Sequence, residues 1–138
     1  MAEVKNIFDI AGRSMAAQMV RLNTVASNLA NAGVATGDEK SAYRAIKPVF
    51  ETKFADALKR TGVSTVDVAE VKTVLREPER VFMPSHPEAD EQGYVFRAAV
   101  DENEEMVEML EASRQYQNNV EVVSTLRSLM MRTISMGK

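Results

Sequence analysis

Both ends of the chain carry apolar residues at alternating steps of three and four. Near the N-terminus the stripe runs Val4, Phe8, Ala11, Met15, Gln18, Leu22, Val25, Leu29 and Ala32, with Gln18 its one polar member. Near the C-terminus it runs Met106, Met109, Ser113, Tyr116, Val120, Val123, Met130 and Ile134, interrupted by Arg127. That rhythm is the seam of a helix packed along another helix. It predicts a first helix over about Asn6–Asn31, roughly 25 residues and on the order of 38 Å long. Asn6 is its expected cap, Asp9 suits the positive end, and Gly33 is the expected left-handed stop. The last helix is expected from Asp101. There Asp101 and Glu104 have capping-box spacing, and Glu102, Glu104, Glu105 and Glu108 crowd the first turns. Arg127, Arg132 and Lys138 lie toward the negative end.

Between the helices the pattern changes. Gly33–Ser41 is small, polar and loop-like. Tyr43–Phe54 and Val63–Leu75 are rich in β-branched and aromatic residues and are expected to be strands, with Ala55–Arg60 a short helical or irregular turn before Gly62. Pro78, Pro84 and Pro87 make the stretch up to Gly93 a bent, edge-like connection, because proline cannot donate to a ladder. Tyr94–Phe96 is the last expected strand. The predicted fold is therefore mainly α with a β-rich insert. Residues 1–33 and 101–138 form a terminal helical unit, paired antiparallel like a coiled coil, and residues 34–100 form a small β domain between them. The insert leaves and returns at one end of the unit. Aligning those ends places Leu29 near Met106 or Met109, Leu22 near Tyr116, Gln18 near Val120 and Phe8 near Met130.

The outer faces of these helices are unusual. From Ser14 to Ala32 the only charge is Arg21, and from Gln115 to Leu126 the only charge is Glu121. A surface helix ordinarily keeps charges on its solvated face. Ala, Ser, Thr, Asn and Gln stand there instead, too polar for lipid. Burial against other protein chains accounts for this; a plain two-helix coil with an amide-rich exposed face is the alternative.

Composition narrows the function. In 138 residues with a formal charge of −3, Lys and Arg are scattered, which argues against a nucleic-acid face. Cys is absent, so thiol chemistry is excluded. No apolar run is long enough to enter a membrane, and no cleavable secretory signal is expected. The only enzyme-like group is His86 with Glu88, Asp90 and Glu91. One His without a spaced ligand pair makes a poor metal site, and the flanking prolines point to a rigid turn. No catalytic residue, cofactor or metal is expected. The nine Met residues are read as adaptable packing.

The segment Arg21-Leu22-Asn23-Thr24-Val25-Ala26-Ser27-Asn28-Leu29-Ala30-Asn31-Ala32 closely resembles the N-terminal signature of the flagellar rod and hook family, with Ala-Ser-Asn-Leu-Ala-Asn at its core. Ile7–Gly12 and Met15–Gln18 fit the same pattern. Tyr43-Arg44-Ala45 with Pro48-Val49-Phe50, the stretch Pro84–Val95, and Glu104–Met106 with Ala112–Val120 resemble the short FlgC, or proximal-rod, branch. One departure is Arg97–Asn103, where the family usually has a Pro-Asn type segment. The resemblance implies a non-enzymatic subunit of the axial shaft that transmits torque. It implies contacts with other rod proteins and with copies of itself, and export uncleaved through the flagellar type III apparatus to a periplasm-spanning basal body. The residues expected at the assembly interface are Phe8, Met15, Leu22, Val25, Asn28, Leu29, Asn31, Met106, Met109, Tyr116, Val120, Val123, Met130 and Ile134. A cytosolic adaptor binding one partner through its terminal coil is the rival reading.

Overall fold

The computed structural model describes residues 2–53 and 64–137, with side chains from residue 7 onward. Helix α1 spans Ala2–Asn31 and α2 spans Glu102–Met136. Between them come β1 (Ala35–Thr36), β2 (Ile46–Lys53), β3 (Thr65–Thr73), β4 (Glu79–Phe82) and β5 (Tyr94–Arg97). The strands form two small antiparallel sheets, a β2–β3 ribbon and a three-stranded sheet in the order β1-β5-β4. Two helices flanking a β-rich middle match the expected class. The expected turn over Ala55–Arg60, with Gly62, lies outside the described residues, as do the side chain of Val4 and the position of Val63.

Several boundaries differ from the sequence reading. Helix α1 begins at Ala2, so Asn6 is inside it and is not its cap. Ala2, Glu3 and Lys5 are good helix formers and carry the helix past Asn6. Gly33 is not left-handed; Gly93 alone among the described residues has positive φ, at 83°. The end of α1 instead tightens through three-residue turns, Ala32 N–H to the Leu29 carbonyl (3.3 Å) and Val34 N–H to the Asn31 carbonyl (3.1 Å). The β1 strand inside the expected loop, and β4 inside the proline-rich connection, owe their existence to pairing with β5. The edge position expected for that connection holds, because β4 is the outer strand.

Asp101 caps α2 as expected, its carboxylate accepting from the N–H groups of Asn103 and Glu104. The reciprocal half of the capping box is replaced. The Glu104 carboxylate accepts from Lys47 on β2 and from Arg76 (2.9 Å), tying the ribbon to the first turn of α2. The last turn of α2 has no basic residue, contrary to the expected bias, and its end closes through Gly137 N–H to the carbonyls of Thr133 and Ile134. The segment that departs from the family pattern is well tied. Ala98 N–H reaches the Val34 carbonyl (2.9 Å), Ala99 N–H reaches the Tyr43 carbonyl (2.8 Å), and both alanines are buried.

Helix α1 packs against both α2 and the ribbon. Ser14 accepts from Asn119 (2.9 Å), while Arg21 reaches Glu108 and Glu111, so the two helices run in opposite directions. Seventeen residues on from Ser14 and seventeen back from Asn119 bring Asn31 level with Glu102, the last residue of α1 and the first of α2. The insert thus leaves and returns at one end. On this register Leu29 is level with Glu104, Leu22 with Glu111 and Phe8 with Thr125, within about a turn and a half of the expected neighbours. The ribbon also runs along α1, with Ile46 held by Asn28 and Asp67, across from Glu51, held by Arg13 (3.0 Å).

The buried apolar residues are Ala11, Ala17, Val25, Ala32, Ala42, Ala45, Val95, Ala98, Ala99 and Ala112. All but two are alanine. Such a core permits close approach of backbones but removes little apolar area per residue, at about 25 cal/mol per Å².

Candidate assembly surface

The inward stripe of α1 follows the sequence pattern. Ala11, Gln18, Val25 and Ala32 are buried, and Phe8, Met15, Leu22 and Leu29 are half-buried. Gln18 was expected to find an amide or backbone partner, yet its Oε1 is buried without one among the described residues.

Asn28, expected at the assembly interface, is fully buried inside its own chain and plays a part there that the sequence pattern did not announce. Its Nδ2 donates to the Ile46 carbonyl (2.9 Å) and its Oδ1 accepts from the Ile46 N–H (2.9 Å). The side-chain amide thereby pairs with one residue of β2 as a neighbouring strand would. Oδ1 also accepts from the Tyr43 hydroxyl (3.0 Å), which lies 3.2 Å from Ser27 Oγ. Asn31 turns back to the Ser27 carbonyl (2.8 Å). The Ala-Ser-Asn-Leu-Ala-Asn segment is therefore a clamp from the end of α1 to the start of the ribbon. Arg21, the one charge in its region, is spent inside the chain, with its Nε 2.8 Å from Glu108 Oε2 and its side chain 13% exposed.

On α2 the expected stripe is right at about every second position, and Ser113 is half-buried as well. Met109, Tyr116, Val123 and Met130 are half-buried, whereas Met106, Val120 and Ile134 are exposed. The inward stripe runs Glu105, Met109, Ala112, Tyr116, Asn119, Val123, Leu126 and Met130, one residue earlier at alternate positions. Glu105, Ala112 and Asn119 do not announce themselves as core, so a search for apolar residues passes to their neighbours. Arg127, which broke the expected stripe, was the signal, because Leu126 beside it restores the rhythm. Glu105 is buried with Oε2 unpartnered.

Among the described residues, each helix keeps an exposed surface. On α1, Gly12, Ala16, Met19, Asn23, Ala26 and Ala30 are all exposed and repeat at steps of four and three. On α2, Val107, Leu110, Leu129, Met131 and Met136 join Met106, Val120 and Ile134 outside.

The His86 loop is a rigid turn. His86 Nδ1 accepts from the Glu88 N–H (3.2 Å), and Glu88 Oε2 accepts from the Gly37 N–H (3.1 Å). A Cβ on Gly37 would meet the Glu88 carbonyl at 2.6 Å, so only glycine fits there. Asp90 Oδ1 accepts from the N–H groups of Tyr94 and Gln92, and its other oxygen meets Arg80, whose guanidinium lies 4.3 Å over the Tyr94 ring. The Tyr94 N–H, followed by Arg80 and the Gln92 N–H, holds the Asp90 carboxyl below its usual range. Glu88 and Asp90 are thus occupied in the turn, and no metal-binding group of three is present among the described residues. No described helix is long and apolar enough to cross a membrane.

Terminal helices clasping a β-rich middle, with an uncharged outer stripe on α1 and polar ties directed inward, define a structural building block. Residues 8–37 match the family described as flagella basal body rod protein, and residues 91–136 match the flagellar basal body rod FlgEFG protein C-terminal family. The chain is 45% identical over 134 residues to the flagellar basal-body rod protein FlgC of Escherichia coli O6:H1, covering 96% of this chain and 97% of the relative. The FlgC of Salmonella typhimurium gives the same identity and coverage. That of Aquifex aeolicus is 34% identical over 138 residues and all of both chains. The chain belongs to the FlgC family of flagellar basal-body rod proteins.

Proposed function

We propose that this structural rod subunit serves in the proximal part of the basal-body rod and assembles there through the outer faces of its terminal helices. Its neighbours are other rod proteins and copies of itself. It reaches the periplasm-spanning shaft through the flagellar type III export apparatus, without cleavage, and transmits torque. The clamp at Asn28 and the tie at Arg21 give each subunit the internal stiffness that such a load demands.

The observation that carries this reading is the exposed α1 stripe of Gly12, Ala16, Met19, Asn23, Ala26 and Ala30. It has a seam's spacing, mostly small side chains and no charge, and no described part of its own chain covers it. Small residues let helix backbones approach closely, and amides pair across such a contact. In the paired variant Ala16→Glu/Ala26→Glu, the isolated chain is expected to keep its helical circular dichroism. Incorporation into purified rod assemblies and swimming are expected to be lost. Normal swimming by the folded variant would refute the assignment. A finite complex with a single partner, in place of a helical assembly under electron microscopy, would favour the adaptor reading.

A further inference from the structure

Glu105 is the one charged side chain among the described residues that is buried, at 2% exposure, and its Oε2 has no donor there. The Ser14–Asn119 contact sets it level with Asn28. It faces a cavity of about 300 Å³ between α1, β2 and the start of α2, with Val25, Ile46, Pro48 and Phe50 as the apolar walls. The grip of Asn28 on Ile46 holds one of those walls in place. Phe50 is 40% exposed, so the apolar lining continues out to the surface. The donors around the cavity are already engaged. Arg21 serves Glu108 and Glu111, Lys47 and Arg76 serve Glu104, and the Thr24 hydroxyl donates to the Arg21 carbonyl (2.8 Å). Three cations thus meet three carboxylates, and Glu105 is the fourth, one formal negative charge in excess.

We propose that this cavity is a binding site for the side chain of a lysine or arginine carried by another polypeptide, with Glu105 as its counter-charge. A buried carboxylate oxygen without a donor is unfavourable, and an incoming N–H corrects that with a charge-assisted hydrogen bond. Long basic side chains bury their methylenes along apolar surface while the charged head finds a polar partner. Here the stem lies against Val25, Pro48 and Phe50, and the head reaches Glu105. The excess of a single charge favours a single cation. A free polyamine would bring a second one beside Arg21 or Lys47. A side chain carries one charge, and its stem leads out past Phe50 to its own backbone. The site is separate from the exposed α1 stripe and stands whether or not that stripe is the assembly face.

The test titrates the full chain with the N-acetyl amides of lysine and arginine, followed by backbone amide NMR. The N-acetyl amide of norleucine is the apolar match, and putrescine stands for free polyamines. Saturable shifts are expected at Val25, Ile46 and Glu105 with the lysine or arginine probe in the millimolar range. Binding of norleucine amide and of putrescine should be at least several-fold weaker. Glu105→Gln should keep its helical circular dichroism and bind the basic probes at least several-fold more weakly. Phe50→Ala leaves the carboxyl in place and shortens the wall; it should weaken them as well, and it decides the matter if Glu105→Gln does not fold. No shift with either basic probe overturns the site, as does undiminished binding by the folded Glu105→Gln or by Phe50→Ala. Norleucine amide binding as tightly as the basic probes makes the cavity merely apolar and overturns the role of Glu105. Tighter binding of putrescine overturns the assignment to a polypeptide side chain.

Discussion

Helices α1 and α2 share one rhythm and have different surroundings. Helix α1 packs against both α2 and the β2–β3 ribbon, so its inward face is wide and reaches Thr24 and Asn28 as well as the stripe. Helix α2 packs along α1 and meets the ribbon only at its first turn, through Glu104, and beyond Met130 every described side chain on it is exposed. A periodic pattern reports that a helix has a packed side, but not how many neighbours press on it. The same spacing therefore stands for a helix with two neighbours in one case and, over most of its length, with one in the other.

The largest expected effect lies at the enclosed end. Asn28→Leu removes three hydrogen bonds and strands the Ile46 backbone groups and the Tyr43 hydroxyl in a buried place. It should cost the isolated chain on the order of 2–4 kcal/mol in urea unfolding. A loss below about 1 kcal/mol would mean that the clamp is not what joins helix to ribbon. A matched pair comes next. Val25 is 4% exposed and Val120 is 45% exposed, although both occupied seam positions in the sequence pattern. Val25→Ala should cost roughly 2 kcal/mol and Val120→Ala less than about 0.5 kcal/mol. Equal losses would erase the distinction between the helices.

Asp101→Ala probes the start of α2, where a lost cap typically costs about 1 kcal/mol. The smallest effect is a pH dependence. Hydrogen bonds from Lys47 first, then Arg76, lower the Glu104 pKa from its ordinary 4.5. A carboxyl depressed in the folded state contributes stability that is present above its unfolded pKa and is lost as pH falls through the folded one. Acid should therefore weaken the tie between ribbon and α2 only below about pH 4.5. This side chain is 38% exposed, so solvent screening keeps the contribution small. Glu104→Gln should flatten that acid limb; a limb of unchanged steepness would place its origin elsewhere.

What the sequence made legible follows the same divide. The α1 stripe could be read because its enclosed positions hold Phe, Leu, Val, Met and Ala at unbroken spacing. On α2 the alternate inward positions hold Glu105, Ala112 and Asn119, which carry little apolar signal, and the reading moved to Met106, Ser113 and Val120 beside them. Tyr43 was read as part of a strand, yet it precedes β2 and serves the clamp through its hydroxyl. That role depends on a fold that brings residues fifteen apart together. Strands β1 and β4, of two and four residues, carry no pattern of their own and exist through partners distant in sequence. Gly33 resembled a helix stop by position, whereas Gly93 bears the positive φ because the turn into β5 requires it.

The grip of Asn28 on Ile46 also decides how this molecule behaves in a crowd. The ribbon's β2 strand has an outer margin, and an open margin invites another chain to zip onto it, strand by strand, into an amyloid-like stack. Asn28 already occupies both outward-directed groups of Ile46, and two residues further along the same margin Pro48 offers no N–H at all. The first two rungs of that ladder are thus closed to strangers. Copies meeting at high concentration find the start of that margin already taken, which favours their helices as the surfaces by which to recognise one another.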